Sequence, residues 1–93
     1  MYLAKVIGRI VATTKDVSLS GAKLLLVSRL DARLEAQAWT EIAVDTVGAG
    51  DGETVIVTTG SAGRFAGTLD QSVVDASIVG IVDTVECHRM AEV

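Results

Sequence analysis

The chain has 93 residues, with 8 Lys and Arg against 12 Asp and Glu, which gives a net charge of −4 at pH 7. This acidic balance argues against nucleic acid and acidic lipid surfaces as partners, because both attract proteins largely through Lys and Arg. The single cysteine permits no intrachain disulfide, and the sequence shows neither a signal-peptide pattern nor an apolar run of the roughly 18 residues that a membrane helix needs. We therefore expect a soluble intracellular protein that folds as one domain over residues 1–93.

Hydrophobic residues make up 49 % of the chain but aromatic residues only 3 %, so the apolar content is nearly all Val, Ile, Leu and Ala. That composition is typical of a β-rich protein with closely fitted surfaces. A chain of this size buries roughly 60–65 % of the surface that its unfolded form exposes, so its own core is marginal. Association with other copies would add stability.

The first third of the chain predicts two strands. From Leu3 to Thr13 one face is wholly apolar, and it consists of Ala4, Val6, Gly8, Ile10 and Ala12. A polar, turn-like stretch follows over Thr14–Gly21. The segment Lys23–Asp31 contains the apolar run Leu24–Val27, which is typical of a strand covered on both faces and therefore of a core or interface strand.

The middle of the chain predicts a loop and then a hairpin. Ala32–Thr40 lacks clear periodicity, and we interpret it as a loop that carries Trp39 into the next strand, with a single helical turn as the open alternative. Glu41–Val47 and Thr54–Thr59 then predict two strands paired as a β-hairpin. The turn between them holds the three glycines Gly48, Gly50 and Gly52.

The last third predicts a short helix and a final strand. Ser61 is a suitable cap for a helix within Gly60–Ala66 that crosses one end of the sheet. Asp75–Glu86 is rich in β-branched residues and is interrupted by Gly80, which suggests a bend or a close backbone approach. Five strands with a short helix before the fifth favour a small antiparallel barrel of the oligonucleotide/oligosaccharide-binding (OB) type. The tail Cys87–Val93 is expected to fray or to dock on a neighbour.

Three segments together resemble the bacterial microcompartment vertex proteins, the family named after the ethanolamine-utilisation and carboxysome shell proteins EutN and CcmL. The first segment joins Gly8–Lys15 to Leu24–Val27, and the second is Ala43–Val55 with its glycine turn. The third joins Gly60–Arg64 to Val74–Asp83. Each motif alone is weak, but the match spans most of the chain and keeps both order and spacing.

The resemblance implies a five-stranded barrel that assembles as a homopentamer. Such pentamers occupy the fivefold corners of a polyhedral protein shell in the bacterial cytoplasm, and hexameric shell proteins tile the rest of that shell. The resemblance implies a structural role, with no catalysis and no cofactor. The alternative is a small OB-like module that binds an oligonucleotide or another ligand, which three aromatic residues and an acidic charge disfavour.

A ring of five acidic subunits needs small, uncharged residues close to its axis, where equivalent loops crowd together. Two segments can supply them, the glycine turn and the loop that follows the fourth predicted strand. We therefore expect one of these two loops to ring the fivefold axis. The candidate residues are Gly48, Ala49, Gly50, Gly52, Gly60, Ser61 and Gly63.

Ring closure also needs a heterologous interface, in which one surface of a subunit meets a different surface of the next. We expect apolar residues of the second and last strands to supply it, with charged residues that fix neighbouring segments. Arg64 and Asp75 are candidates for an ion pair, and the open alternative is a solvated Arg with a turn-capping Asp. The full set of interface or ion-pair candidates is Leu24, Leu26, Arg64, Asp75, Ile78, Ile81 and Asp83.

Catalytic and metal sites find little support in the sequence. Cys87 and His88 are adjacent, and neighbours in a strand point to opposite faces, so they make a poor chelate. Asp45 and Asp83 lie within apolar strands, where we expect hydrogen bonds to loop backbone rather than catalysis. The glycine turn lacks the lysine and helix of a phosphate-binding loop. We predict no enzyme activity and no metal site.

Overall fold

A computed structural model describes residues 1–13, 16–19, 21–60 and 74–89. Within these ranges the chain forms a closed barrel of five strands with the spatial order β1-β2-β3-β5-β4. The strands are β1 (Tyr2–Arg9), β2 (Leu24–Leu30), β3 (Ala36–Asp45), β4 (Thr54–Thr59) and β5 (Ala76–Ile81). The described ranges contain one 3-10 helix, Val17–Leu19, so the predicted all-β barrel is confirmed. The helix predicted within Gly60–Ala66 lies almost entirely outside the described residues.

Strand pairing differs from the prediction in two respects. β3 and β4 do not form a hairpin, because β5 lies between them and pairs with both. β4 instead closes the barrel against β1. The β3–β5 pair is parallel, whereas the other four pairs are antiparallel. The glycine turn therefore carries the chain across the end of the barrel rather than directly back along β3.

Strand ends also differ from the prediction. Ala32–Thr40 is not simply a loop, because its second half belongs to β3, which begins at Ala36. The first strand ends at Arg9 and the last at Ile81, both earlier than expected. Gly80 does not break β5, and a Cβ on it would lie 3.3 Å from Ile56 Cδ1 on β4. The glycine therefore leaves room for that side chain.

The core lies inside the barrel and is built from small and β-branched side chains, as the composition predicts. In β1 the alternation is as expected, because Ala4 and Val6 are buried and Lys5 and Ile7 are exposed. The core cluster is Ala4, Val6, Leu25, Val27, Ala43, Ala49, Val55, Val57, Ala76 and Ile78, with Tyr2 packed against it. No helix among the described residues is long and apolar enough to span a bilayer.

Candidate functional site

An apolar strip runs along the outer wall of β2 and β3. Leu25 of β2 points inward and is buried, so its neighbours Leu24 and Leu26 point outward, where both are half-buried. Leu26 lies opposite Ile42 of β3 in the strand register, and 49 % of Ile42 is exposed. The strip thus brings the two leucines predicted as interface residues beside an exposed isoleucine that the sequence analysis did not single out.

This strip continues into an open apolar groove with a volume of about 320 Å³. Leu24 and Ile42 line one side of the groove, and Ile10 and Leu19 from the segment between β1 and β2 line another. The chain entering β5 contributes Val74 and the exposed Asp75. A groove with so few polar atoms suits contact with another protein surface better than binding of a polar small molecule.

The remaining interface candidates are scattered. Ile78 is 0 % exposed and belongs to the barrel core, so it has no surface to offer a neighbour. Ile81 is 38 % exposed at the end of β5. Asp83 is exposed and lies beyond β5 rather than within a strand, which corrects that part of the prediction. Arg64 lies outside the described residues, so its ion pair with Asp75 stays a prediction.

The glycine turn is anchored by a buried carboxylate at the end of β3. Asp45 Oδ1 accepts hydrogen bonds from the backbone amides of Val47 at 3.0 Å and Gly48 at 3.1 Å. Its Oδ2 lies 3.2 Å from Lys23 Nζ, which also donates to the carbonyl of Ala49 at 2.8 Å. The Asp45 side chain is 1 % exposed and that of Lys23 is 45 % exposed. The expectation that Asp45 bonds loop backbone is confirmed.

These contacts set the charge state of Asp45. Burial opposes ionisation, but hydrogen bonds from the backbone amides of the turn together with the Lys23 ammonium favour it. Their combined effect holds the pKa of Asp45 below its usual value. The carboxylate therefore serves as an ionised cap on the turn near neutral pH, which is a structural function.

The rest of the turn fits tightly against β1. Gly48 and Gly52 have φ angles of 80° and 81°, a region in which residues with a side chain are strained. The Gly52 amide donates to the Val6 carbonyl at 2.9 Å, and the Val6 amide donates to the Glu53 carbonyl at 3.0 Å. Gly50 donates its amide to Glu53 Oε1 at 2.6 Å. The turn is thus rigidly held at one end of the barrel.

The axial candidates divide between this turn and the second loop. Ala49 is 0 % exposed within the subunit, so it packs in its own barrel, whereas Gly48 and Gly52 are exposed. Gly60 is exposed at the end of β4 and donates its amide to the Asp75 carbonyl at 2.8 Å. Ser61 and Gly63 lie outside the described residues. The axial role of either loop stays a prediction.

A polar cluster that the sequence analysis missed lies on the inward side of β1, β2 and β3. The Tyr2 hydroxyl donates to Glu41 Oε1, and the guanidinium carbon of Arg29 lies 4.7 Å from the centre of the Tyr2 ring. Burial and the Glu41 carboxylate raise the pKa of Tyr2. Because 39 positions separate Tyr2 from Glu41, only the strand register brings them together. No group of three or more His, Cys, Asp or Glu in the described ranges is placed to hold a metal ion.

Comparison with known proteins identifies the family. The family described as "Ethanolamine utilisation protein EutN/carboxysome" matches residues 1–83. The chain belongs to the EutN/CcmL family. The shell vertex protein GrpN of Rhodospirillum rubrum (strain F11) is 58 % identical over 86 residues, which cover 92 % of this chain and 97 % of GrpN. The vertex protein PduN of Salmonella typhimurium is 46 % identical over 91 residues, covering 94 % and 100 %.

Solved structures of the EutN/CcmL family share the barrel. The chain superposes on the GrpN pentameric microcompartment shell protein from Rhodospirillum rubrum with a TM-score of 0.87 and 56 % identity, covering 95 % of this chain and 100 % of that one. CcmL of Nostoc sp. PCC 7120 gives a TM-score of 0.89 at 44 % identity, with coverage of 91 % and 92 %. As a EutN/CcmL member, the chain is a structural protein of a bacterial microcompartment shell and not an enzyme.

Proposed function

We propose that five copies of this chain associate head to tail into a ring that closes a fivefold vertex of a bacterial microcompartment shell, flanked there by hexameric shell proteins. The observation that carries the vertex role is likeness over nearly the whole chain to shell vertex proteins, one of them a pentameric shell protein. The shell lies in the bacterial cytoplasm, where the chain would act as a building block without cofactor or substrate.

The outer wall of the barrel supplies one of the two surfaces that a ring requires. A closed ring needs two different surfaces on each subunit, one for each neighbour. The strip formed by Leu24, Leu26 and Ile42 is apolar and partly exposed, and it is a suitable first surface. Two interfaces of about 800 Å² each would cover roughly a quarter of the 5869 Å² surface of the subunit. Such association would add stability to a small core.

Either the glycine turn or the loop that begins at Gly60 would surround the fivefold axis. Both begin with exposed glycines, which allow five equivalent backbones to approach closely. Replacement of Asp51 by Cys, in a Cys87→Ser background, distinguishes the two loops. Disulfide-linked subunits under mild oxidation would place the glycine turn at the axis, and the absence of such links would leave the Gly60 loop as the axial one.

A deletion strain tests the vertex role. In the absence of this protein and of any paralogue, we expect shells that stay open or elongated, because hexagonal tiles alone cannot close a polyhedron. Expression of the wild-type chain should restore closed shells, whereas Leu26→Glu, which places a charge in the apolar strip, should not. Closed, regular shells in the deletion strain would contradict the corner role.

We also infer that nucleic acid is not a partner of this barrel. Single-stranded nucleic acid binds OB-like barrels through a basic groove and exposed aromatic side chains. The chain has a net charge of −4, and Trp39 is the large aromatic residue exposed within the described ranges. Mixing with a single-stranded oligonucleotide at low salt should give no binding, and salt-sensitive binding would contradict this inference.

A further inference from the structure

One edge of β3 lacks a partner strand along most of its length. β3 has ten residues, Ala36–Asp45, but β5 pairs only with Val44 and Asp45. β2 covers the other edge of β3 from Ala36 onward. Among the described residues, no strand pairs with Ala36–Ala43 on the side of β5. Within the described residues, the β3–β5 seam is therefore paired at one end and unpaired at the other.

The hydrogen bonds at the end of β3 show which of its backbone amides point to this edge. The Asp45 amide donates to the Lys23 carbonyl of the chain entering β2 at 2.9 Å, whereas the Thr46 amide donates towards β5 at 3.3 Å. Pairing of β3 with β2 continues in the same register to Thr40, and in an antiparallel pair the direction of the amides alternates. The amides of Thr40 and Ile42 therefore point away from β2, to the open edge.

This edge carries few of the features that keep the edges of soluble monomers apart. Such edges usually contain Lys, Pro or inward-pointing charges. Ala36–Thr40 is exposed at every position and holds no charged residue, and the chain contains no proline. Trp39 is 55 % exposed, and the carboxylate of Glu41 is engaged by Tyr2. A strand edge from Ala36 to Ala43 whose one charged side chain is already hydrogen-bonded within the subunit favours pairing with another chain.

We propose that an extended segment of a neighbouring copy of this chain pairs with the β3 edge at Ala38–Ile42, so that the sheet continues across the subunit boundary. The inference rests on the ring of the proposed function. A second copy is the occupant because Ile42 belongs both to this edge and to the apolar strip with Leu26, so one neighbour covers both. The contact is heterologous, since the edge meets a different segment of the next subunit.

A pair of substitutions at Thr40 tests the proposal. Thr40→Pro removes an amide that makes no hydrogen bond within the part of the chain that the structure describes, and proline is tolerated on strand edges whose amides face solvent. Thr40→Ala is the matched control, because it removes the side chain and keeps the amide. We expect the control to retain a mass of five times 9.7 kDa by light scattering. Thr40→Pro should weaken association about tenfold or more, because an edge hydrogen bond and its neighbours are lost at each boundary.

The fluorescence of Trp39 shows directly whether the β3 edge is covered, because Trp39 is the single tryptophan of the chain and precedes Thr40. Its fluorescence should be blue-shifted in the ring and red-shifted in Thr40→Pro, with an unchanged far-ultraviolet circular dichroism spectrum. If Thr40→Pro loses its sheet signal, Thr40→Lys replaces it in the test, because an exposed lysine opposes edge pairing without removing an amide. Thr40→Lys should weaken the ring in the same way.

Three results would overturn the proposal, and each has a different meaning. Rings of wild-type mass with blue-shifted Trp39 in both Thr40→Pro and Thr40→Lys would show that the edge is not a subunit contact, while leaving the ring intact. Rings of the variants that form in solution but fail to enter shells would assign the edge to another shell protein. A wild-type monomer at all concentrations would overturn the ring itself.

Discussion

Replacement of Asp45 by Asn probes the anchor of the glycine turn. The Asp45 carboxylate accepts two backbone amides at 3.0 and 3.1 Å and pairs with Lys23 at 3.2 Å. Asparagine is nearly isosteric and keeps one carbonyl oxygen for the amides. It lacks the charge, and its own amide group would face the Lys23 ammonium, so that two donors would meet. The substitution therefore removes charge with little change in shape.

The expected loss of unfolding free energy follows from the hydrogen bonds that the buried carboxylate accepts. Hydrogen bonds to a charged group contribute about 1.5–3 kcal/mol and neutral ones about 0.5–1.5 kcal/mol, so each of the two amide bonds weakens by about 1 kcal/mol. Lys23 is partly exposed and can turn to water, which limits its further cost. We expect a loss of about 2 kcal/mol of unfolding free energy. For a chain of 93 residues that corresponds to a fall in Tm of roughly 8–16 °C.

Urea unfolding at a fixed subunit concentration measures this loss, because association raises apparent stability. Asp51→Asn is the matched control, since Asp51 lies in the same turn but is exposed, and it should change stability by less than about 0.5 kcal/mol. A loss below about 0.5 kcal/mol in Asp45→Asn would show that the buried carboxylate does not stabilise the turn.

The pH dependence of stability tests the effect of Asp45→Asn independently, because it must change in a defined direction. The pKa of Asp45 is held below its usual value, so its stabilising effect is present above the unfolded pKa of about 4 and is lost as the pH falls through the folded pKa. The difference in stability between the wild type and Asp45→Asn should therefore be largest near neutral pH and shrink in acid. A stability difference between the two proteins that grows on acidification would contradict the lowered pKa of Asp45.

Three further substitutions address other parts of the barrel. Leu34 has a φ angle of 61° in the β2–β3 loop, so Leu34→Gly should raise the free energy of unfolding by about 1 kcal/mol in urea, whereas Leu34→Ala should not. Tyr2→Phe leaves Glu41 without its donor and should cost about 1–2 kcal/mol; because the pKa of Tyr2 is raised, this difference from wild type should persist below pH of about 10 and narrow well above it. Ile78→Ala should cost about 2–5 kcal/mol in thermal unfolding, against about 1 kcal/mol or less for the partly exposed Ile81→Ala; equal costs would contradict the core position of Ile78.

Local patterns predicted the strands whose two faces differ. Ala4 and Val6 alternate with exposed Lys5 and Ile7, and this contrast is visible in the sequence because one face of β1 fills the barrel. The first half of β3 gave no such signal, because Ala36–Thr40 is exposed on both faces and burial therefore imposes no alternation. That is the physical reason why a strand was interpreted as a loop.

Pairing between strands was harder to predict than the strands themselves. Gly48 and Gly52 correctly indicated a tight turn, since both have positive φ angles. A tight turn does not determine which strand the chain meets next, and here closure of the barrel places β5 between β3 and β4. The contact of Tyr2 with Glu41 depends on the same closure. Among the site candidates, Leu24 and Leu26 lie on the outer wall as an interface requires, whereas Ile78 was misplaced because apolar residues such as Ile78 and Val79 occupy both inward and outward positions of β5.

The proposed vertex role depends on the association of five copies of this barrel into a ring. Light scattering coupled to size exclusion measures the mass of the purified protein over a range of concentrations. We expect a single species of five times the 9.7 kDa of the chain, with Trp39 emission shifted to the blue relative to dissociated subunits. A monomer at every concentration would mean that the apolar strip needs no neighbour, and it would contradict the proposed ring.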